Sequence, residues 1–311
     1  MKEINYEKTV EKIRENLRNY LVKNDLKSLV IGVSGGADSG LISALCYPVC
    51  KELGVELIGR LIIIESNKPD EIERARNIGQ YFCTNFTEVN LTTEFHTMKN
   101  MVNLESLSSG FNGRIIGGDP ETERETKIRL GNIKARMRMI YLYDLAQKNK
   151  GLVLSTDNYT EFLVGFWTLH GDEGDYGMIQ ELWKTEVYGM IEWFSKNEIS
   201  GEASDSLASM LDAVATDGLG ITNSDLDQLL PDWKERHTTT REGYKEVDNI
   251  LEDYLSESNN PLDEYESVNI SSIISSINKI IKETHPVISR HLRTQFKRDN
   301  PINLKRKDII E

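Results

Sequence analysis

The chain lacks any apolar run that approaches the roughly 18 residues needed to cross a membrane, so its sequence predicts no membrane partner. Cysteine is scarce, with three in 311 residues, at Cys46, Cys50 and Cys83. An odd and sparse set excludes a disulfide framework and is typical of a protein of the reducing cytoplasm. Cys46 and Cys50 lie one helical turn apart, but we expect two buried helix residues there and not a metal site, because free cysteine is among the most buried residue types.

Positive charge is also in short supply. Lys and Arg total 37 against 50 Asp and Glu, which gives a net charge of -13. Binding to nucleic-acid backbones depends on clustered Lys and Arg, so we expect no nucleic-acid partner. The sequence has no internal repeat and no low-complexity linker. We therefore predict a single domain over residues 1–311, with an α/β core in 1–190 and an irregular, then helical, part in 191–311.

Strand and helix patterns alternate along the first half of the chain. Short β-branched runs predict strands at 28–33, 56–64, 86–91 and 151–156, and apolar residues at helical spacing predict helices at 4–23, 41–53, 70–82 and 131–149. This alternation indicates an α/β fold with a doubly wound parallel sheet. The Gly- and Ser-rich segment 106–123 is typical of a surface loop, 200–245 is irregular and polar, and 246–298 favours helices.

The most informative segment is Gly32-Val33-Ser34-Gly35-Gly36-Ala37-Asp38-Ser39, between the first strand and the next helix. Paired glycines let the backbone approach a ligand closely, and the helix N-terminus offers free N–H groups, which together suit phosphate or pyrophosphate. The segment lacks the lysine of a Walker loop and the spacing of the dinucleotide fingerprint. Asp38 would repel a phosphate unless Mg²⁺ lay between them. The alternative is a plain turn in which Asp38 caps the helix.

This loop resembles the S-G-G-x-D-S loop of the N-type ATP pyrophosphatases, which cleave ATP between its α and β phosphates. Later segments resemble the motifs of one branch, the NAD synthetases, in the same order. They are Gly131-Asn132-Ile133-Lys134-Ala135-Arg136-Met137-Arg138-Met139, Thr156-Asp157-Asn158 with Glu161, 165–175, 182–188, and Thr294-Gln295-Phe296-Lys297-Arg298. The resemblance runs from about residue 10 to residue 305.

The resemblance implies a Rossmann-like fold of the adenine nucleotide α-hydrolase type and an ammonia-dependent ligase. Its substrates would be ATP, ammonia and deamido-NAD, its metal Mg²⁺ and its assembly a homodimer. The residues implied to bind ATP are Gly32, Val33, Ser34, Gly35, Gly36, Ala37, Asp38, Ser39, Arg60, Thr156, Lys184 and Thr216. Asp38 and Glu161 would bind Mg²⁺ and, with Lys184, form the catalytic set. Arg136, Asp175 and Lys297 would bind deamido-NAD.

Each assignment has a simpler alternative. Arg136 could form a surface salt bridge, Glu161 could be a solvated acid in the first turn of a helix, and Lys184 and Lys297 could be ordinary surface lysines. The first predicted strand begins at residue 28, so too few residues precede it to form a glutaminase domain that would release ammonia from glutamine. We therefore expect ammonia to be used directly or to be supplied by a separate protein.

Several residues depart from the family pattern, and three of them matter most here. Leu169 stands where the family has a lysine, Glu173 where it has a glycine, and Phe296 where it has a histidine. All three belong to the dinucleotide half of the motifs. Two further hypotheses therefore stay open: another adenylating ligase of the same superfamily, and a nucleotide-binding regulator that has lost catalysis.

Overall fold

The computed structural model describes residues 4–65, 68–108, 122–215, 224–258 and 282–299. The strands are β1 (Ser28–Gly32), β2 (Glu56–Ile63), β3 (Asn85–Asn90), β4 (Gly151–Ser155) and β5 (Tyr176–Gly177). The longer helices are α1 (Tyr6–Lys23), α2 (Ala37–Leu53), α3 (Pro69–Phe82), α4 (Thr92–Ser108), α5 (Glu123–Lys148), α7 (Lys184–Asn197) and α11 (Thr240–Ser258). The shorter ones are α6 (Tyr159–Val164), α8 (Glu202–Ala208), α9 (Leu226–Leu229), α10 (Trp233–Arg236), α12 (Pro286–Arg293) and α13 (Gln295–Arg298).

The strands form one parallel sheet in the order β3-β2-β1-β4-β5. Val30 of β1 lies beside Ile58 of β2 and Val153 of β4. The chain therefore moves outward from β1 in one direction, then returns to β4 and moves outward in the other. The predicted doubly wound α/β sheet is confirmed, and the carboxyl ends of β1 and β4 meet where the order reverses, which is the usual ligand-binding position in such sheets.

Helices cover both faces of the sheet because alternate residues of each buried strand face opposite sides. Leu29 and Ile31 of β1 belong to the larger core, which includes the buried faces of α1, α2 and α7. Val30 of β1 belongs to a second core, with Met139 and Leu142 of α5. Cys46 and Cys50 are buried free thiols in α2, as predicted.

The C-terminal helices extend the larger core. Tyr244, Val247 and Leu251 of α11 are completely buried, and α11 packs against α6, α7 and α12. The segment predicted as irregular, 200–245, contains the short helices α8, α9 and α10. Helices α4 and α7 and strand β5 were not predicted, and most of the predicted 106–123 loop lies outside the described residues. Within the described ranges, no helix is both long and apolar enough to span a membrane.

Candidate active site

The glycine loop between β1 and α2 takes its shape from contacts that only glycine permits. Gly35 has φ +84, and a Cβ there would lie 2.2 Å from the carbonyl oxygen of Glu71 in α3. Arg74 Nε donates to the Gly35 carbonyl at 3.1 Å. Ser39 Oγ accepts from the Ser34 backbone N–H at 3.3 Å and donates to the Gly36 carbonyl at 3.2 Å. The loop is thus braced from inside by Ser39 and from outside by α3.

Helix α2 begins directly after this loop without a side-chain cap. Its N-cap is Gly36, which makes no side-chain hydrogen bond to the first turn. The first N–H groups of a helix have no partner within the helix, and the positive end of the helix dipole lies there. The loop and the start of α2 therefore have the geometry that suits an anion.

Lys184, the first residue of α7, faces this site and is only 2% exposed. Its Nζ donates to Asp38 Oδ2 at 2.5 Å and to Glu161 Oε1 at 2.9 Å. Asn158 Nδ2 donates to the other oxygen of Asp38 at 2.9 Å. Asp38 therefore pairs with a buried cation and does not simply cap its helix. The alternatives of a solvated Glu161 and a surface Lys184 are wrong.

The pKa values of Lys184 and Glu161 are both shifted from their ordinary values. Burial alone would lower the pKa of Lys184, but Asp38 and Glu161 raise it well above its ordinary value. Burial raises the pKa of Glu161 to about 7, against the attraction of Lys184. The lysine stays a cation beside the loop, which suits a triphosphate.

These residues line a cleft of about 310 Å³, at the lower end of the size range of small-molecule sites. The predicted residues that line it are Gly32, Val33, Ser34, Gly35, Gly36, Ala37, Asp38, Arg60, Thr156, Glu161 and Lys184. Ser39 braces the loop from inside and is not among the lining residues. Thr216 lies outside the described residues.

Arg60 reaches the cleft from the buried strand β2. It is 7% exposed, and one of its terminal nitrogens donates to the Asn85 carbonyl at 3.0 Å. Its Nε is buried and has no hydrogen-bond partner in the described part of the chain. A buried donor without a partner is rare and costly.

Sequence reasoning missed two further cations of the cleft, Arg74 and Arg138. Arg138 lies two residues beyond the predicted Arg136 on α5, which turns the two side chains by about 200° around the helix. Burial lowers the pKa of Arg138, while Asp172 and Glu71 oppose that effect. Arg138 stands in the same quoted motif as Arg136, so knowing which face of α5 meets the sheet would have found it.

The three residues predicted for the dinucleotide lie outside this cleft. Arg136 is exposed, and its Nε donates to the Leu169 carbonyl at 3.2 Å. Asp175 accepts from the Val153 backbone N–H at 2.9 Å. Lys297 donates to the carbonyls of Gly165, at 2.8 Å, and Trp167.

Lys297 lies 5.3 Å above the centre of the Trp167 ring. Burial and the nearby Arg290 lower the pKa of Lys297 to about 8, while Asp172 and Asp157 act in the other direction. Burial also raises the pKa of both acids. Because Asp172 lines the cleft as well, these charges connect Lys297 to the cleft.

The acidic groups suit a hard cation that a phosphate helps to bind. No cluster of three or more His, Cys, Asp or Glu able to hold a metal occurs within the described residues. Asp38 and Glu161 nevertheless converge on one point, since a single Lys184 nitrogen contacts both. Mg²⁺ is commonly bound by one or two carboxylates together with substrate phosphates and water, so this pair fits a Mg²⁺ ion that enters with a nucleotide.

Comparisons with known proteins agree with this geometry. The family model described as NAD synthase matches residues 9–248. The NH(3)-dependent NAD(+) synthetase of Methanopyrus kandleri is 33% identical over 236 residues, which cover 73% of this chain and 75% of that protein. The enzyme of the same name from Finegoldia magna is 29% identical over 228 residues, covering 73% of this chain and 85% of its own.

Solved structures match over almost the whole chain. An NH3-dependent NAD synthetase from Campylobacter jejuni has a TM-score of 0.61 at 19% identity, with 97% of this chain and 100% of that one covered. An NMN synthetase from Francisella tularensis has a TM-score of 0.65 at 19% identity, with 97% and 99% covered. At this identity the two structures establish the adenine nucleotide α-hydrolase-like fold alone. With the match of the family model over residues 9–248, the chain belongs to the NAD synthase family.

Proposed function

We propose that the chain amidates deamido-NAD with ammonia at the expense of ATP and forms NAD, AMP and pyrophosphate. A carboxylate is a poor electrophile, so its oxygen first attacks the α phosphorus of ATP and pyrophosphate leaves. Ammonia then attacks the carbonyl carbon of the mixed anhydride, AMP leaves, and the nitrogen loses a proton. The observation that carries this proposal is a lysine-free glycine loop facing Lys184, which Asp38 and Glu161 hold.

The residues of the cleft have separate tasks in the first step. The loop from Gly32 to Ser39 and the start of α2 would hold the β and γ phosphates through backbone N–H groups. Lys184, Arg60 and Arg138 would balance the charge that builds on the leaving pyrophosphate, where preorganised groups act most strongly. Thr156 and Thr216 are proposed ATP contacts.

Asp38 and Glu161 would hold Mg²⁺. Bound there, the ion would shield the charge of the phosphates and favour departure of pyrophosphate. Asn158 keeps Asp38 oriented through its 2.9 Å hydrogen bond. Lys184, which contacts both carboxylates, would turn towards the phosphate oxygens once the nucleotide is bound.

Arg136, Asp175 and Lys297 are proposed to bind deamido-NAD. Lys297 supports this role because it donates to the Trp167 carbonyl, and the next residue, Thr168, donates its backbone N–H to Asp172 of the cleft. Arg136 is tied to the backbone of Leu169, the position at which the family lysine is missing. Arg136 would therefore supply a positive charge near that position.

We also propose that the enzyme is a cytoplasmic homodimer. Ile140 and Tyr143 on the outer side of α5 are 69% and 39% exposed. Both lie within one turn of the same helix, where a second subunit could cover them. Apolar side chains grouped on one face mark association surfaces more often than isolated ones do.

One assay separates this function from the alternatives. The chain is incubated with ATP, Mg²⁺, ammonium and either deamido-NAD or nicotinate mononucleotide, and AMP, pyrophosphate and the amide product are measured. NAD formed from deamido-NAD, with no amide product formed from the mononucleotide, supports the proposal. AMP formed only with the mononucleotide or another acceptor indicates a different ligase, and ATP binding without AMP indicates a regulator.

The Asp38→Asn variant ties the activity to this cleft. It keeps the shape of the side chain but removes its charge, so we expect the rate of AMP formation to fall at least roughly 100-fold, as for loss of a group that stabilises the transition state. Asp253→Asn on the exposed side of α11 is the matched control. Full activity of Asp38→Asn would refute the assignment of the site.

A further inference from the structure

A buried acid outside the cleft has no role in the steps above. Asp248 of α11 is completely buried. A buried carboxylate is unfavourable unless hydrogen bonds replace its lost hydration. The groups that donate hydrogen bonds to Asp248 therefore indicate which part of the structure its carboxylate stabilises.

Both oxygens of Asp248 are engaged by residues next to the catalytic set. Thr160 Oγ1 donates to Oδ1 at 2.6 Å. The Thr185 backbone N–H and hydroxyl donate to Oδ2 at 3.0 and 2.7 Å. Thr185 is the second residue of α7, so the carboxylate also meets the positive end of that helix dipole.

Two of these contacts continue to the active-site residues themselves. Thr160 Oγ1 accepts from the backbone N–H of Lys184 at 2.9 Å. Thr160 directly precedes Glu161, and Thr185 directly follows Lys184. One carboxylate thus fixes the backbone beside both residues while its oxygens contact neither functional group.

We propose that Asp248 is a positioning residue that fixes Lys184 and Glu161 for the triphosphate of ATP; the proposal rests on the proposed function only in naming ATP as the nucleotide. Through Asp248, α11 of the C-terminal part holds α6 and α7 in the register that lets Lys184 Nζ reach Glu161 at 2.9 Å. Its contribution is preorganisation, since misplacement of a charge by a fraction of an ångström weakens the action of that charge on a transition state.

The test uses Asp248→Asn, which keeps the volume of the side chain. An amide can accept on one side only, so either the two donors of Thr185 or the hydroxyl of Thr160 faces an NH₂ group. We expect kcat/KM for ATP to fall by about 10- to 100-fold, the usual effect of losing a group that orients a binding residue, with KM for deamido-NAD unchanged. The Kd of Mg·ATP, measured by equilibrium dialysis with labelled ATP, should rise in parallel.

Two further variants separate positioning from stability. Val247→Ala removes buried apolar atoms from the residue that precedes Asp248 in α11. It should lower the melting temperature with little change in kcat/KM for ATP. Thr160→Val should reproduce the fall in kcat/KM for ATP because it loses the connecting hydroxyl. Thr160→Ser, which keeps that hydroxyl, should retain activity.

The outcomes distinguish this proposal from the function itself. Unchanged kcat/KM and Kd for ATP in Asp248→Asn, or an equal kinetic loss in Val247→Ala at a matched drop in melting temperature, overturns the positioning role. A wild-type chain that binds Mg·ATP but forms no NAD refutes the proposed function, and the dialysis experiment still decides the role of Asp248.

Discussion

Lys184 is the residue on which the charge balance of the cleft depends. It is the common partner of Asp38 and Glu161, whose side chains are only 14% and 16% exposed. Removing one partner of a buried ion pair leaves an uncompensated charge, which costs more than the pair itself contributes. The same residue therefore supports both the stability of the empty site and the binding of phosphate.

We expect Lys184→Met to lower the free energy of unfolding by on the order of 3 kcal/mol and to abolish AMP formation. Lys196→Met on the same helix is the control, because the ion pair of Lys196 with Glu192 is exposed and such pairs contribute less than about 1 kcal/mol. Urea unfolding and the AMP assay measure both effects. Equal stability of the two variants would contradict the assigned role of Lys184.

Lys297 leads to a prediction about pH. Its pKa is lowered to about 8, chiefly by burial, so the side chain loses its positive charge as the pH rises through that value. If the cation binds deamido-NAD, KM for this substrate rises above about pH 8 while KM for ATP stays constant. Lys297→Arg keeps its charge to about pH 12, so its KM should not rise. A KM that rises equally in both proteins would contradict the contact.

The sequence predicted which residues belong to the candidate site better than it predicted where their side chains lie in the fold. Asp38, Glu161 and Lys184 were predictable because each stands in a segment that resembles a family motif, and the parallel sheet brings the three segments to one edge. Arg138 and Asp248 were not predictable, since their roles depend on which face of α5 meets the sheet and on how α11 packs. Neither is encoded in local spacing.

Among the elements, the turn from β1 to α2 depends most on backbone geometry. Gly35 and Gly54 have similar positive φ values, +84 and +66, at the two ends of this part of the fold. A Cβ at Gly35 would overlap the Glu71 carbonyl at 2.2 Å, whereas a Cβ at Gly54 would meet nothing within 4 Å. Alanine variants at the two positions therefore separate the cost of a left-handed backbone from the cost of steric overlap.

We expect Gly54→Ala to cost about 1 kcal/mol of folding free energy, from the left-handed backbone alone. Gly35→Ala should cost at least 2 kcal/mol more, on the order of an overpacking penalty, and should weaken ATP binding because α3 is pushed from the loop. Urea unfolding and ATP dialysis check both variants. Equal free energies of unfolding for the two variants would show that α3 can move away from residue 35 at little cost.

The four longer strands were predicted well, whereas the long helices α4 and α7 and the short strand β5 were not. The strands β1 to β4 agree with prediction within one residue at each end. The buried strands β1, β2 and β4 are recognisable because a buried parallel strand must be apolar on both faces, whereas β3 is a half-exposed strand at the edge of the sheet. β5 has only the residues Tyr176 and Gly177 and forms by pairing with the end of β4. Such a strand is set by its neighbour and leaves no pattern of its own.

For the molecule as a whole, the distribution of charge matters more than its sum. The net charge is -13, yet Arg60, Arg74, Arg138 and Lys184 all line one cleft. An acidic surface repels anions over about a Debye length, roughly 8 Å at physiological salt. The cations within the cleft act at shorter range, so the binding of ATP depends on local contacts and not on long-range attraction.

The same acidity opposes the assembly of two copies, so the proposed homodimer must depend on apolar contact. We expect Ile140→Glu to convert the dimer to a monomer in sedimentation experiments, because it adds a charge to the centre of the exposed face of α5. Val22→Glu is the control, since Val22 on α1 is similarly exposed, at 65%, and lies on another helix. Raising the salt concentration should strengthen the wild-type dimer by screening the repulsion between the acidic subunits. A wild-type chain that is fully active as a monomer, or a dimer that Ile140→Glu leaves intact, would rule out this face as the interface.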